Sequence, residues 1–158
     1  MKKIPLTQGK FALVDNSDYE ELSKYKWHAH KNRNSNVFYA ERNIKKGKGQ
    51  TPLQMHRSLM GLPKGKEVDH IDMDGLNNQR KNLRICTRSE NMFNRPKYKS
   101  NTSGFKGVHF NKEHQKWRVF IAVNKKQIHV GYFINKEEAY KAHCFACVKY
   151  HGDFSRVN

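Results

Sequence analysis

The apolar residues of this chain occur in short runs, and each run is bounded by charged, asparagine or glycine residues. FALV, VFYA and VFIAV are examples, and none approaches the length of a membrane-spanning helix. With 158 residues, of which 36% are hydrophobic, the chain can form one or two small domains but no large core. Each domain is therefore expected to be a thin sheet covered by one helix.

The charge of the chain narrows its possible partners. Thirty-one lysines and arginines against fourteen aspartates and glutamates give a net charge of +17, and 11% of the residues are aromatic. A folded and strongly basic chain usually binds a polyanion, most often a nucleic acid. The sequence contains no amphipathic helix with a broad leucine and tryptophan face, which argues against an acidic membrane surface as the partner.

Three cysteines, Cys86, Cys144 and Cys147, indicate a reducing compartment, because their number is odd and no signal-peptide core follows the first lysines. The protein is therefore expected to be cytoplasmic. Cys144 and Cys147 are interpreted as buried thiols of a helix rather than zinc ligands, since structural zinc usually needs four ligands. Cys86 alternates with apolar strand residues and is expected in the core.

A polar segment with proline and glycine, RPKYKSNTSG, is the predicted linker between two domains. The predicted domains are residues 1–98 and 99–158, and the predicted fold class is α+β. The first is a small mixed domain, with a unit of two strands and a helix at about 66–96. The second is a three-stranded antiparallel sheet packed on one helix, which Asn135 begins and Gly152 ends.

Several predictions concern the elements of the first domain. KFALVD, KWHAHK and NVFYAERN are predicted strands, and SDYEELSKY is a helix that Ser17 caps. KKGKGQT is a predicted loop, and PLQMHRSLMGL is a predicted helix. KEVDH and KNLRICT are then two strands joined by a polar loop, and a capping box in TRSEN begins a helix at about Arg88 that Pro96 stops.

The positions best suited to chemistry are Asp69, His70, Asn82 and Asn91. Two strands followed by a helix at this spacing would bring Asn91 back towards Asp69. A carboxylate and an amide oxygen suit a hard cation such as Mg²⁺, and His70 beside it could take a proton from water. Asn82 could hold the loop or orient the His70 ring. These parts fit the hydrolysis of a phosphodiester.

Other polar residues have simpler interpretations. Asp72 and Asp74 are expected to be loop residues, because aspartate favours turns. A calcium-binding loop is not expected, because no glutamate follows them at the spacing of an EF-hand. His28, His30 and His56 could together bind a metal, although such histidines more often face solvent or fill a polar gap.

The segment VDHIDMDGLNNQRKNLRICTRSENMFN, preceded by MHRSLMG, resembles the motif of HNH nucleases in the form found in phage- and intron-associated homing endonucleases. The resemblance implies a ββα-metal fold in which Asp69 and Asn91 bind one divalent ion, Mg²⁺ or Mn²⁺. It implies that His70 is the general base, Asn82 a structural asparagine and Arg84 a phosphate contact. Asn91 stands where many members have histidine.

Three stretches of the second domain, GVHF, KWRVF and VGYFINKEEA, resemble the DNA-binding domain of plant ethylene-response factors, the Apetala family. That domain also occurs fused to homing nucleases. The resemblance implies that residues 99–158 bind double-stranded DNA. The residues at matching positions, with Trp117 and Arg118 as adjacent candidates, are Lys106, His109, Asn111, Lys116, Trp117, Arg118, Gln127 and His129.

The predicted function is a metal-dependent, homing-type DNA endonuclease encoded by a phage or mobile element. It is expected to act as a monomer or weak dimer, with no membrane partner and no small-molecule cofactor. The alternative is a non-catalytic, sequence-specific DNA-binding regulator in which the two strands and the helix are only a scaffold. A third hypothesis is an RNA-binding protein, because basic sheets with aromatic side chains also stack single-stranded bases.

Overall fold

The structure, a computed structural model, describes residues 1–33, 35–94, 101–123 and 126–155. The chain forms two compact units, Met1–Arg88 and Ser89–Asn158. The sequence predicted a later division, after residue 98, and residues 95–100 of the predicted linker lie outside the described part. The mixed α+β class is confirmed, since both units combine small antiparallel sheets with helices.

The first unit contains three small antiparallel sheets, formed by β1 with β2, by β3, β4 and β5, and by β6 with β7. Apolar residues from the first two sheets, from α1 and from α2 share one core, which includes Ile4, Val14, Trp27 and Met55. The elements are β1 (Lys2–Pro5), β2 (Phe11–Val14), α1 (Asn16–Ser23), β3 (His28–Lys31), β4 (Phe38–Lys46), β5 (Gly49–Gln54), α2 (Met55–Leu59), β6 (Glu67–His70) and β7 (Leu83–Cys86).

Two predictions about the first unit were wrong because turn residues were given too much weight. KKGKGQT is not a loop: β4 and β5 run through most of it, and only Gly47 and Lys48 separate them. Gly47 has a φ of 59°, which suits glycine in a tight turn between paired strands. PLQMHRSLMGL is not one helix, because its first residues complete β5 and α2 begins only at Met55.

The cap of α1 also differs from the prediction. Ser17 lies inside the helix, and Asp15 occupies the N-cap position with an extended backbone. The Asp15 carboxylate makes no capping bond; it accepts hydrogen bonds from the Arg80 backbone and the Gln79 side chain. Asp15 therefore ties the start of α1 to the end of the polar loop between β6 and β7.

The second unit contains a three-stranded antiparallel sheet and α4, as the sequence predicted, and it also contains α3, which the sequence assigned to the first domain. In the sheet β9 lies between β8 and β10, and α4 packs against one face through Val108, Val119, Ile121, Ala139 and Ala146. The elements are α3 (Arg88–Phe93, whose first residue ends the first unit), β8 (Val108–Asn111), β9 (Lys116–Val123), β10 (Lys126–Phe133) and α4 (Lys136–His151).

Both predicted ends of α4 are confirmed. The Asn135 side chain accepts hydrogen bonds from the backbone amides of Glu137 and Glu138, and Gly152 ends the helix with a positive φ of 52°. Cys86 and Cys147 are buried, as predicted, whereas Cys144 on α4 is only partly buried, contrary to the prediction. Among the helices of the described ranges, none is both long and apolar enough to span a membrane.

Candidate active site

The hairpin of β6 and β7 carries Asp69, a predicted metal ligand, and the predicted catalytic residues His70 and Arg84. The strands pair antiparallel, so that Asp69 lies opposite Arg84 and His70 opposite Leu83. Asp69 is 7% exposed and His70 is 5% exposed. Two adjacent polar residues thus lie in the interior at the end of a short strand, where an apolar residue would cost less free energy.

An ion pair neutralises the buried Asp69 carboxylate. The Arg84 guanidinium donates to Asp69 Oδ2 from Nε at 3.0 Å and from Nη2 at 2.7 Å. Both side chains are largely shielded from water, which strengthens the attraction between them. Arg84, predicted from the resemblance to contact phosphate, therefore contacts Asp69 in the DNA-free chain.

Asn82 is the centre of the polar loop that joins the two strands. It is 7% exposed, and its Nδ2 donates to Asp72 Oδ1 at 2.9 Å and to the Asn77 carbonyl at 2.8 Å. Its Oδ1 accepts from the Asp72 backbone amide at 3.1 Å. These hydrogen bonds fit the first of the two roles considered for Asn82, which is to hold the loop rather than to orient the His70 ring.

The carboxylates of the loop serve the same purpose. Asp72 also accepts hydrogen bonds from the Asn77 side chain and the Asp74 backbone, and Asp74 accepts one from the Leu76 backbone. Burial alone would raise the pKa of Asp72, but the hydrogen bonds from Asn77 and Asn82 outweigh it and lower that pKa. Asp72 and Asp74 are thus loop residues, as the sequence predicted.

His70 lies in a cluster of three rings with Tyr39 and His56. The His56 ring meets the His70 ring edge-on at 4.7 Å between centroids, and the Tyr39 ring lies 5.8 Å from His70. Burial lowers the pKa of His70, while Asn78 and the carboxylates of the loop oppose that shift. The net effect favours the neutral imidazole, which is the form able to accept a proton.

Sequence reasoning missed Tyr39 and His56 as parts of this site. His56 is 5% exposed, and burial, followed by the nearby His70 and Arg57, lowers its pKa to about 3. Its Nδ1 has no hydrogen-bond partner among the described residues. The available signal was the MHRSLMG segment ahead of the motif, but Tyr39 on β4 reaches the site only through the tertiary fold.

Gly75 makes the contact between the polar loop and β4 possible. A Cβ at this position would lie 2.4 Å from the Phe38 carbonyl oxygen and 2.6 Å from the Tyr39 ring. The loop therefore approaches β4 more closely than any other residue type permits. This close approach holds the loop against the strand that carries Tyr39.

His28 and His30 do not join His56. They lie on β3, and both approach the Glu41 carboxylate of β4, with N–O distances of 3.8 Å from His28 and 4.0 Å from His30. His56 instead contacts His70. The three histidines considered together from the sequence are therefore divided between two places in the first unit.

Asn91, the second predicted metal ligand, lies on α3 and belongs to the second unit, whereas Asp69 belongs to the first. Their pairing stays a prediction. Within the described part of the chain, no group of three or more histidine, cysteine, aspartate or glutamate side chains is arranged to hold a metal ion. The chemistry of the donors nevertheless fits a hard cation, because Asp69 supplies a buried anionic oxygen that already attracts the Arg84 cation.

The face of the second unit's sheet that α4 does not cover is the candidate DNA-binding surface, here called the open face. Strand pairing places Arg118 of β9 between His109 of β8 and Tyr132 of β10, and places Phe120 opposite His129. Rings contact one another across this face, His109 with Phe120 and His129 with Tyr132. Six predicted DNA contacts lie on the open face: His109, Asn111, Lys116, Arg118, Gln127 and His129.

Two other predicted DNA contacts lie elsewhere. Trp117 packs with Val108 and Val119 on the face that α4 covers. Because Trp117 and Arg118 are consecutive in β9, Arg118 is the one of the two that lies on the open face. Lys106 precedes β8 rather than sharing its open face, and its Nζ donates to the Phe93 carbonyl at 2.6 Å.

Residues 58–93 match a family model described as HNH endonuclease. The matched range includes the β6–β7 hairpin, the polar loop and α3, so this segment of the chain is similar to HNH endonucleases. It does not include the sheet of the second unit, whose resemblance to the Apetala domain stays a prediction.

Two relatives from phage and virus extend this finding. The chain is 44% identical over 66 residues to protein 3.8 of Escherichia phage T7, which is 42% of this chain and 54% of that protein. It is 35% identical over 107 residues to an uncharacterised HNH endonuclease of Acanthamoeba polyphaga mimivirus, 64% of this chain and 50% of the relative. The chain thus spans about half the length of the curated relatives it matches.

Proposed function

We propose that this chain is a metal-dependent, homing-type DNA endonuclease that hydrolyses phosphodiester bonds with His70 as the general base. One observation carries the proposal: a buried imidazole with a lowered pKa directly follows a buried carboxylate, within the segment that matches the HNH endonuclease family. A structural role alone would not require two such costly residues side by side.

His70 takes a proton from the attacking water. Its lowered pKa keeps the ring neutral near pH 7, and the rings of Tyr39 and His56 restrict its orientation. The carboxylates of Asp69 and Asp72 then stabilise the imidazolium that forms, because both favour the charged ring. Asn82 contributes indirectly, by holding the loop that begins directly after His70.

Asp69 and Asn91 would hold one divalent ion, Mg²⁺ or Mn²⁺, which when bound supplies stabilisation of the negative charge on the leaving 3′-oxygen. The products are then a 5′-phosphate and a 3′-hydroxyl. Arg84 keeps the Asp69 carboxylate in place and is assigned a contact with a DNA phosphate, for which its planar fork is suited.

The open face of the second unit binds and positions the DNA. Lys116 and Arg118 supply cations for phosphates, and Asn111 and Gln127 supply amides for base edges. The rings of His109, His129 and Tyr132 are exposed on the same face. Trp117 is left out of this surface because its ring packs in the core of the unit.

The test is the conversion of supercoiled plasmid to the nicked form by the full chain, with Mg²⁺ and then with EDTA. We expect nicking only with the cation, and we expect His70→Ala to abolish nicking while DNA binding is retained. His30→Ala is the matched control, because His30 belongs to the same unit but contacts Glu41 instead of His70. Full nicking by the His70 variant would disprove the assignment, and binding without nicking by the native chain would favour the regulator.

A further inference from the structure

The far end of the β4–β5 hairpin is a two-stranded ribbon that projects from the first unit. The third strand, β3, pairs only with Phe38–Glu41 at the start of β4, whereas β5 pairs with β4 up to the turn. The residues from 42 to 54 therefore form a ribbon, here called the basic ribbon. It contains four basic residues, Arg42, Lys45, Lys46 and Lys48, and no acidic residue.

The tip of the basic ribbon is open to solvent on both faces. Lys45 and Lys46 point to opposite faces because they are consecutive in a strand, and both are exposed. A Cβ added at Gly47 or at Gly49 would meet no atom within 4 Å. The tip thus leaves a concentrated positive charge uncovered, with no acidic side chain on the ribbon to balance it.

The base of the basic ribbon is fixed. Arg42 stacks on the Tyr25 ring, 3.6 Å from its centroid, and Leu53 opposite it is buried. Tyr39, six residues before Lys45 on the same strand, contacts the His70 ring. The lysine tip is therefore held at a set distance from the candidate catalytic base, within a single unit of the protein.

We infer that the basic ribbon is a second DNA-binding element, which enters a groove of the duplex and contacts phosphates beside the cleavage site. A two-stranded ribbon fits the major groove, and lysines at its tip suit the backbone on either side. Six strand residues span roughly 20 Å, which corresponds to about six base pairs of duplex. The ribbon thus binds about six base pairs from the cleaved phosphate. This inference rests on the proposed function for its choice of ligand.

The basic ribbon gives the first unit its own grip on DNA. The open face of the second unit would then determine where the protein binds, and the ribbon would align the backbone with His70. A structural explanation also exists, because lysines on exposed strands prevent edge-to-edge aggregation. The two explanations differ in their consequences for DNA, and the experiment is designed on that difference.

The experiment compares two triple variants of the full chain, each in the His70→Ala background so that bound DNA stays intact. The ribbon variant is K45A/K46A/K48A, and the matched control, K3A/K24A/K26A, removes the same charge from exposed lysines elsewhere in the first unit. Duplex affinity is measured over a range of KCl concentrations, and the bound region is mapped by hydroxyl-radical footprinting. Cleavage by the native chain with Mg²⁺ fixes the position of the cut.

We expect the ribbon variant to lose roughly 100-fold in affinity at 0.1 M salt and to reduce the salt slope by about 2 to 3, since each phosphate contact contributes about 0.9. Its footprint should lose protection about six base pairs to one side of the cut, while the control keeps it. Thermal unfolding should be unchanged, because the substituted side chains are exposed.

Equal slopes and equal footprints in the two triple variants would overturn the inference, even where the native chain cleaves as proposed. A native chain that binds duplex but does not cleave refutes the proposed function, and the ribbon's contact is then judged by the change of slope. If the His70→Ala chain without the triple substitutions binds RNA and not duplex DNA, both proposals are overturned.

Discussion

The β6–β7 hairpin of the first unit and the open face of the second unit use the same residue type in opposite ways. His56 and His70 are buried, and burial lowers both pKa values, whereas His109 and His129 are exposed on the face of the sheet that α4 does not cover. Burial favours the neutral form of the two buried rings near pH 7, while the exposed rings are accessible to a polyanion. Under the proposed function, solvation rather than residue type separates the histidine assigned to catalysis from those assigned to DNA binding.

Arginine shows the same contrast. Arg84 forms a buried ion pair with Asp69, while Arg118 lies on the open face between His109 and Tyr132. Loss of the first should therefore disturb the fold, and loss of the second should disturb binding. Four measurements test this contrast between buried and exposed side chains.

Asn82→Ala should have the largest effect. It removes three hydrogen bonds of a buried side chain, two of which join it to Asp72, at a cost of about 3 to 5 kcal/mol in unfolding free energy. Because the loop follows His70 directly, nicking should fall by roughly 100-fold or more. Urea unfolding monitored by Trp27, in a Trp117→Phe background, reports the first unit, since each unit contains one tryptophan. Unchanged nicking would show that the loop does not position the base.

Arg84→Gln should destabilise the first unit by about 3 kcal/mol, because it leaves the buried Asp69 carboxylate without its ion pair. The same urea experiment measures this change. Arg84→Lys, which keeps the charge but not the fork, should recover part of the loss. Equal stability of the glutamine variant and the native chain would mean that Asp69 does not need the guanidinium.

Acid should destabilise the second unit through His143. Burial, followed by the charges of Lys106, His151 and His109, lowers the pKa of His143 to about 4. Between about pH 6.5 and pH 4 the unfolded chain binds a proton there and the folded chain does not. The contribution of His143 to the unfolding free energy of the second unit is therefore fully present above about pH 6.5. It is lost as the pH drops towards 4, which lowers the unfolding free energy by about 2 kcal/mol with allowance for screening. Trp117 fluorescence in a Trp27→Phe background measures this, and His143→Gln should flatten the profile.

Arg118→Gln should have the smallest effect on the fold and a clear effect on binding. The side chain lies on the open face, so unfolding should change by less than about 0.5 kcal/mol. Duplex affinity should fall roughly tenfold and the salt slope by about 1. Trp117→Phe is the contrasting variant, because Trp117 faces α4 and its replacement should leave the salt slope unchanged.

The order of strands and helices around the hairpin, and the whole plan of the second unit, followed from local signals. Alternating apolar residues gave β8, β9 and β10, and Asn135 and Gly152 gave the limits of α4. The adjacent Asp69 and His70 were also evident, since they follow a valine in a strand of the matched motif. Such features depend on neighbours in sequence, which pattern reasoning can read.

The features that sequence reasoning missed depend on residues far apart in the chain. Tyr39 contacts His70 only because Gly75 lets the loop pack on β4. The sequence predicts a loop for KKGKGQT because of its glycines and lysines, whereas pairing between β4 and β5 makes most of this segment the tip of the basic ribbon. The facing of Trp117 and Arg118 was open until strand pairing fixed it.

The boundary between the units has a practical meaning for anyone who would retarget this protein. It falls after Arg88, at the first turn of α3, so Asp69 precedes the boundary in the chain and Asn91 follows it. A chimera joined at the boundary would replace Asn91 along with the sheet that is proposed to bind DNA. A chimera should instead keep the native chain through Phe93, so that both proposed metal ligands, Asp69 and Asn91, remain when a different DNA-binding domain is attached.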